Sequence, residues 1–106
     1  MRAAFDLIEA AWRAAGRDDK PHLSTSIWYA LGDGAEDRLR AYAYEYLKIF
    51  GEDAGQYGAQ SVACYTPDAL RRALENIAAA GADELFLVPT TTDPDELTRT
   101  RDALGI

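Results

Sequence analysis

At 106 residues the chain has room for one domain and none for a second, since domains most often hold roughly 100 to 150 residues. Hydrophobic residues make up 48% and charged residues 27%, so the composition is that of a folded globular chain and excludes a disordered one. The 18 acidic against 11 basic residues leave a formal charge of −7, which argues against nucleic acid and anionic membrane surfaces as partners.

No apolar run approaches the roughly 20 residues that span a bilayer, and Asp6 and Glu9 stand where a signal peptide would carry its apolar segment. A cytoplasmic protein is expected. Cys64 is the single cysteine, which leaves no internal disulfide and no multi-cysteine metal site; the burial habit of free cysteine makes it a small core hydrophobe.

In chain order, Phe5, Ile8, Trp12 and Ala15 recur at helical spacing, and Gly16 stands where a helix end wants positive φ. This predicts an amphipathic helix from about Ala3 to Ala15. Arg17 to Pro21 is a charged connection. His22 to Leu31 is rich in β-branched and aromatic residues and has no charged face, which predicts a strand with little solvent exposure, buried on both sides as in a parallel sheet. Gly32-Asp33-Gly34 breaks it. From about Ala35, Leu39, Tyr42, Ala43, Tyr46, Leu47 and Phe50 mark a second helix, with Tyr44 pointing away from the stripe and able to offer a contact surface.

The glycine-rich stretch from Gly51 to Tyr65 reads as a loop with one or two helical turns. Thr66-Pro67-Asp68 then supplies a cap, a first-turn proline and an acid that complements the helix dipole, opening a helix through Leu70, Leu74 and Ile77 to Gly81. Glu84 to Val88 is a short strand. Asp93-Pro94-Asp95-Glu96 repeats the start signal, with Glu96 three residues after the cap, and leads a last helix through Leu97, Ala103 and Leu104. Strands alternating with helices predict an α/β fold with a parallel sheet, but two strands leave outer edges with unpaired backbone groups.

The run Phe5 to Pro21, FDLIEAAWRAAGRDDKP, the following strand into Leu31-Gly32, and the run Tyr65 to Leu97 containing Ala-Gly-Ala-Asp-Glu-Leu-Phe-Leu-Val-Pro together resemble the C-terminal part of the luciferase-like monooxygenase family. The resemblance covers nearly the whole chain, in family order. It implies that residues 1–106 are a single partial domain, a fragment of a (β/α)8 TIM barrel with two principal parallel strands and about four helices. It implies FMN or a 5-deazaflavin as cofactor of the complete barrel, mostly held by earlier strands that this chain does not contain. Neither retention of a flavin nor turnover by the chain alone is therefore expected.

In such barrels function gathers at the C-terminal ends of the strands, here Trp28 to Asp33 and Val88 to Thr92. Trp28 and Tyr29 are candidates for lining a flavin or substrate pocket, beside the alternative that they are core rings. Thr90 and Thr91, with Thr92 after them, offer hydroxyls and backbone donors ahead of a helix N-terminus, a place suited to a phosphate or carboxylate, beside the alternative of a capped loop. His22, the only histidine, begins its strand at the end of a barrel where residues serve stability, and Asp83-Glu84 reads there as a solvated turn. No residue stands out as a catalytic acid, base or nucleophile.

Two functions follow as alternatives: a wall segment of a flavin- or deazaflavin-dependent oxidoreductase, or a non-catalytic truncated barrel that associates with itself. Leaving one large apolar side chain in water costs roughly 1.5 to 3 kcal/mol, against a net domain stability of about 5 to 15 kcal/mol. A homo-oligomer, most simply a twofold dimer pairing like edges, is therefore expected, with the stripe Leu39, Tyr42, Tyr46 and Phe50 at its interface.

Overall fold

The computed structural model describes all residues, Met1–Ile106. Its elements are α1 (Arg2–Ala14), β1 (Ser24–Tyr29), α2 (Ala35–Leu47), α3 (Glu52–Ser61), α4 (Pro67–Ala79), β2 (Glu84–Pro89) and α5 (Asp95–Leu104), with a 3-10 turn over Lys48–Phe50. The fold is α/β: five helices and a two-stranded parallel sheet that does not close into a barrel. The glycine-rich stretch from Gly51 to Tyr65, expected as a loop with one or two helical turns, instead holds the helix α3.

The strands pair without a bulge, Ser24 opposite Glu84 through Tyr29 opposite Pro89. Alternation then gives the sheet two faces. Thr25, Ile27, Tyr29, Leu85 and Leu87 stand on one, where Tyr29, Leu31, Cys64, Leu70 and Ala103 form a core under α4 and α5. Ser24, Ser26, Trp28, Glu84, Phe86 and Val88 stand on the other, where α2 covers only the C-terminal part: Ala30 packs with Ala35 and Leu39, and Trp28 meets Tyr42 and Tyr46 edge-on at 5.3 and 5.0 Å. The expectation of a first strand buried on both faces is thus corrected. Ser24 and Ser26 are exposed because no element lies over that half of the face.

Local signals act as their chemistry requires. The Thr66 hydroxyl accepts from the Ala69 amide at 3.1 Å and Pro67 opens α4. Gly16 and Gly81 take positive φ at helix ends. Arg2 joins α1 to the end of α4, donating to the Ala80 carbonyl at 2.6 Å while Asp6 and Glu9 accept its other nitrogens. Along the apolar stripe of α1, however, only Phe5 is buried; Ile8 is exposed and Trp12 half-buried under the Arg17 guanidinium.

Helices α2 and α3 form an antiparallel hairpin, since Tyr44 meets Gly55, Ala43 meets Gly58 and Arg40 reaches the Ala59 carbonyl. Tyr44 does not offer a free contact surface: its ring lies on Gly55 and its hydroxyl donates to Glu52 at 2.7 Å. Two glycines disfavour a helix by about 1 kcal/mol each. Their lack of a side chain is what lets the two backbones approach, and packing overrides propensity here.

The molecule is a slab of 49 × 38 × 20 Å with a radius of gyration of 16.1 Å, where about 13 Å is usual for this length. It exposes 7015 Å², against roughly 5,800 Å² for a monomer of its mass. The excess is roughly 1,200 Å² on the same scaling.

Replacing Gly55 tests the hairpin. A Cβ there would stand 2.9 Å from the Tyr44 ring and 3.1 Å from the Lys48 Cβ. Gly55→Ala is expected to destabilise by about 1 to 3 kcal/mol through overpacking, although alanine favours helix by roughly 0.5 to 1 kcal/mol. Denaturant unfolding measures the sign.

Candidate functional site at the carboxyl ends of the strands

Beyond Tyr29 and Pro89 the chain builds a polar cluster around Glu96, the one acidic side chain with no solvent exposure. Its place follows from α5, whose buried stripe is Glu96, Thr100 and Ala103 at four- and three-residue steps. Leu97, expected to lead that stripe, is 60% exposed. Glu96 does not reach back to cap its own helix, as the start signal suggested; its carboxylate turns inward to the end of β1.

There it accepts the Leu31 amide at 3.3 Å and the Arg99 Nε at 2.9 Å, and Arg38 stands 3.8 Å away. Arg38 also donates to the carbonyls of Leu31, at 2.6 Å, and Asp33. Arg99 continues to Asp93 at 3.3 Å, and its side chain lies where a Cβ on Gly32 would be, 3.0 Å from Cδ. A buried carboxylate is unfavourable unless paired and hydrogen-bonded, and here both conditions are met. The arginines are about a third exposed, so their charges stay partly solvated.

The sequence candidates fall around this cluster in different positions. Tyr29 is buried; its hydroxyl contacts Thr100 Oγ1 at 2.6 Å, and the Thr100 hydroxyl lies 2.7 Å from the Glu96 carbonyl. One threonine proton serves that carbonyl, so the Tyr29 phenol is the donor to Thr100. Thr90 is buried, with its amide and hydroxyl both donating to the Tyr29 carbonyl at 3.2 and 3.0 Å, closing the strand pair. Thr91 is half-exposed and accepts the Asp93 amide at 3.2 Å. Trp28, one residue from Tyr29, points to the opposite face into the Tyr42 and Tyr46 rings. The rim therefore brings Tyr29 and Thr90 together, sets Thr91 beside them, and excludes Trp28.

Asp93 supplies the turn: its carboxylate accepts the Asp95 amide at 3.0 Å and its carbonyl accepts the Glu96 amide. These bonds, first the Asp95 amide and then Arg99, hold its carboxyl below the usual value of 3.8. A cleft of about 420 Å³ opens at this rim between Gly32, Pro67, Arg71 and Arg99. At the other end of the sheet His22 Nε2 lies 3.3 Å from Glu84 in the open, while Asp83 is more than a solvated turn, since it accepts the Leu23 amide at 2.9 Å. Cys64 is buried in the core, and burial pushes its thiol up, away from the reactive thiolate. No cluster of three or more histidine, cysteine or acidic side chains is placed to hold a metal ion, and no helix is long and apolar enough to cross a membrane.

Sequence reasoning missed Glu96, Arg38 and Arg99. The four-residue step from Glu96 to Thr100 and on to Ala103 was the available signal for an inward-facing stripe. Compared with models of protein families, with curated proteins and with solved structures, the chain matches none.

Glu96→Ala is expected to destabilise by roughly 1.5 to 3 kcal/mol, the range for a hydrogen bond to a charged group, because the Leu31 amide loses its acceptor and two guanidiniums lose their shared counter-ion. Glu96→Gln, which keeps an acceptor, is expected to lose less; chemical denaturation of both variants orders them.

Asp93 has a lowered folded pKa, so it binds its proton more weakly in the folded chain. Its contribution is complete above the unfolded value near 3.8 and is lost as pH falls through the lower folded value. Amide exchange at the start of α5 is expected to quicken in that acid window, and Asp93→Asn to flatten the dependence.

Proposed function

We propose that the chain is the C-terminal end of a luciferase-like, flavin- or 5-deazaflavin-dependent monooxygenase or oxidoreductase barrel, contributing wall and pocket rim, and that it is not catalytic alone. The observation that carries the reading is the pair of parallel strands in register, with Tyr29, Thr90, Glu96 and Arg99 gathered at their common carboxyl end. That is the end where barrel enzymes place their chemistry. The resemblance of Ala80 to Pro89 and of Phe5 to Pro21 to the family supports it from the sequence side.

Trp28, Tyr29, Thr90 and Thr91 do not by themselves make a flavin site. Trp28 is packed among rings on one face, Tyr29 is buried under the other, and the Thr90 hydroxyl is occupied by a backbone carbonyl. No reaction step is derived through a flavin from these residues. Their role in this reading is to set the shape of the rim while earlier strands hold the cofactor.

The excess surface favours a second reading, a non-catalytic chain that associates with itself. The two separate on assembly, since neither expects the chain alone to hold a flavin. Incubated with FMN or a 5-deazaflavin and desalted, the chain is expected to keep no visible absorbance from the ring system. Stoichiometric retention would contradict the claim that it lacks a complete site.

A further inference from the structure

The outer edge of β2 has no partner within the chain. The Glu84 amide donates to the Leu23 carbonyl and the Thr90 amide to the Tyr29 carbonyl, both at 3.2 Å. In a parallel ladder this parity turns the backbone groups of Glu84, Phe86, Val88 and Thr90 toward β1. The amides and carbonyls of Leu85 and Leu87 therefore face outward. Natural sheets block such an edge with lysine, a bulge or an inward charge; this one runs Glu-Leu-Phe-Leu-Val-Pro, unbulged, with its single charge at one end. Pro89 has no amide to leave unpaired, which suits an edge strand.

The side chains on either face of this edge are open as well. Phe86 is 55% exposed, beside its register neighbour Ser26. On the other face Leu85 borders an apolar cleft of about 440 Å³ with Leu74 and Ile77 on its wall.

We propose that a second copy of this chain docks here, β2 against β2 and antiparallel about a twofold axis at Phe86, giving a four-stranded sheet in the order β1-β2-β2-β1. The inference rests on the self-association reading above and specifies its surface. In the register centred on Phe86, Leu85 of one copy exchanges two hydrogen bonds with Leu87 of the other, and the symmetric pair does the same. All outward amides and carbonyls of Leu85 and Leu87 are then satisfied. Sliding by one pair toward the carboxyl end sets Leu85 opposite Pro89 and leaves its carbonyl without a donor.

The same register places the two Phe86 rings at a non-hydrogen-bonded position, where opposing Cβ atoms stand about 4.5 to 5.5 Å apart. It also sets each Leu85 beside the other copy's Leu87, at the apolar cleft. The excess surface of roughly 1,200 Å² exceeds the 800 Å² or so that each partner buries in a stable interface.

The test combines light scattering behind a sizing column with site-directed cross-linking. At micromolar concentration the chain is expected to have twice its 11.6 kDa mass. With the native thiol removed as Cys64→Ala, Phe86→Cys is expected to link into a covalent dimer under mild oxidation, while Leu97→Cys, equally exposed on α5, is not. Phe86→Lys is expected to weaken association at least tenfold and to keep its far-ultraviolet circular dichroism; should it unfold, the Phe86→Cys link decides. A dimer in which Phe86→Cys fails to link, or in which folded Phe86→Lys stays dimeric, keeps self-association and overturns this edge. Oligomers that grow with concentration overturn the closed pairing. A monomer overturns both the edge and the self-association reading and leaves the barrel reading in place.

Discussion

A parallel pair of strands has two faces and two edges to cover, and the rest of this molecule is arranged by how far its helices succeed. Helices α4 and α5 close one face over Tyr29, Leu31, Leu70 and Ala103. Helix α2 closes the other only from Trp28 onward, because the α2–α3 hairpin leans on Tyr44, Gly55 and Gly58 and does not extend over Ser24, Ser26 and Phe86. One edge is clamped at a single point, the Ala30 amide on the Cys64 carbonyl, and the other is bare. The flat shape and the excess surface are consequences of that shortfall.

The carboxyl end of the sheet is the best-determined part of the polar structure. Glu96 ties the end of β1, through the Leu31 amide, to α5, and through Arg38 to α2, so that one carboxylate fixes three elements. The hydroxyls of Tyr29, Thr90 and Thr91 are engaged there, Tyr29 with Thr100, Thr90 with the Tyr29 carbonyl and Thr91 with the Asp93 amide, while Thr92 is exposed. The rim sets guanidinium charge beside its cleft.

Much of this was legible wherever the cause is local. The Thr66 cap, the first-turn Pro67, the positive-φ glycines at 16 and 81 and the β-branched run into Tyr29 act within a few residues of themselves. Features that depend on distant contacts were not legible. Helix α3 forms because Gly55 and Gly58 admit α2, which no property of residues 51–65 alone declares. Glu96 sits in the position of a capping-box glutamate and is drawn inward by Leu31, 65 residues away, and by two arginines. Leu39, expected at an interface, is buried within the chain against Ala30 and Ala35, while Tyr46 and Phe50 remain exposed. Adjacent strand residues point to opposite faces, so Trp28 and Tyr29 could never have shared one pocket wall.

On the proposed reading, this sheet is completed by surface from outside the chain. Hydrogen exchange at the Leu85 and Leu87 amides addresses it directly, because both point away from β1 and have no acceptor within the chain. Covered edges predict that these two amides exchange as slowly as those of Phe86 and Val88, and that they quicken on dilution. Exchange at the rate of open loops, unchanged across concentration, would contradict the account and leave β2 as a bare edge in solution.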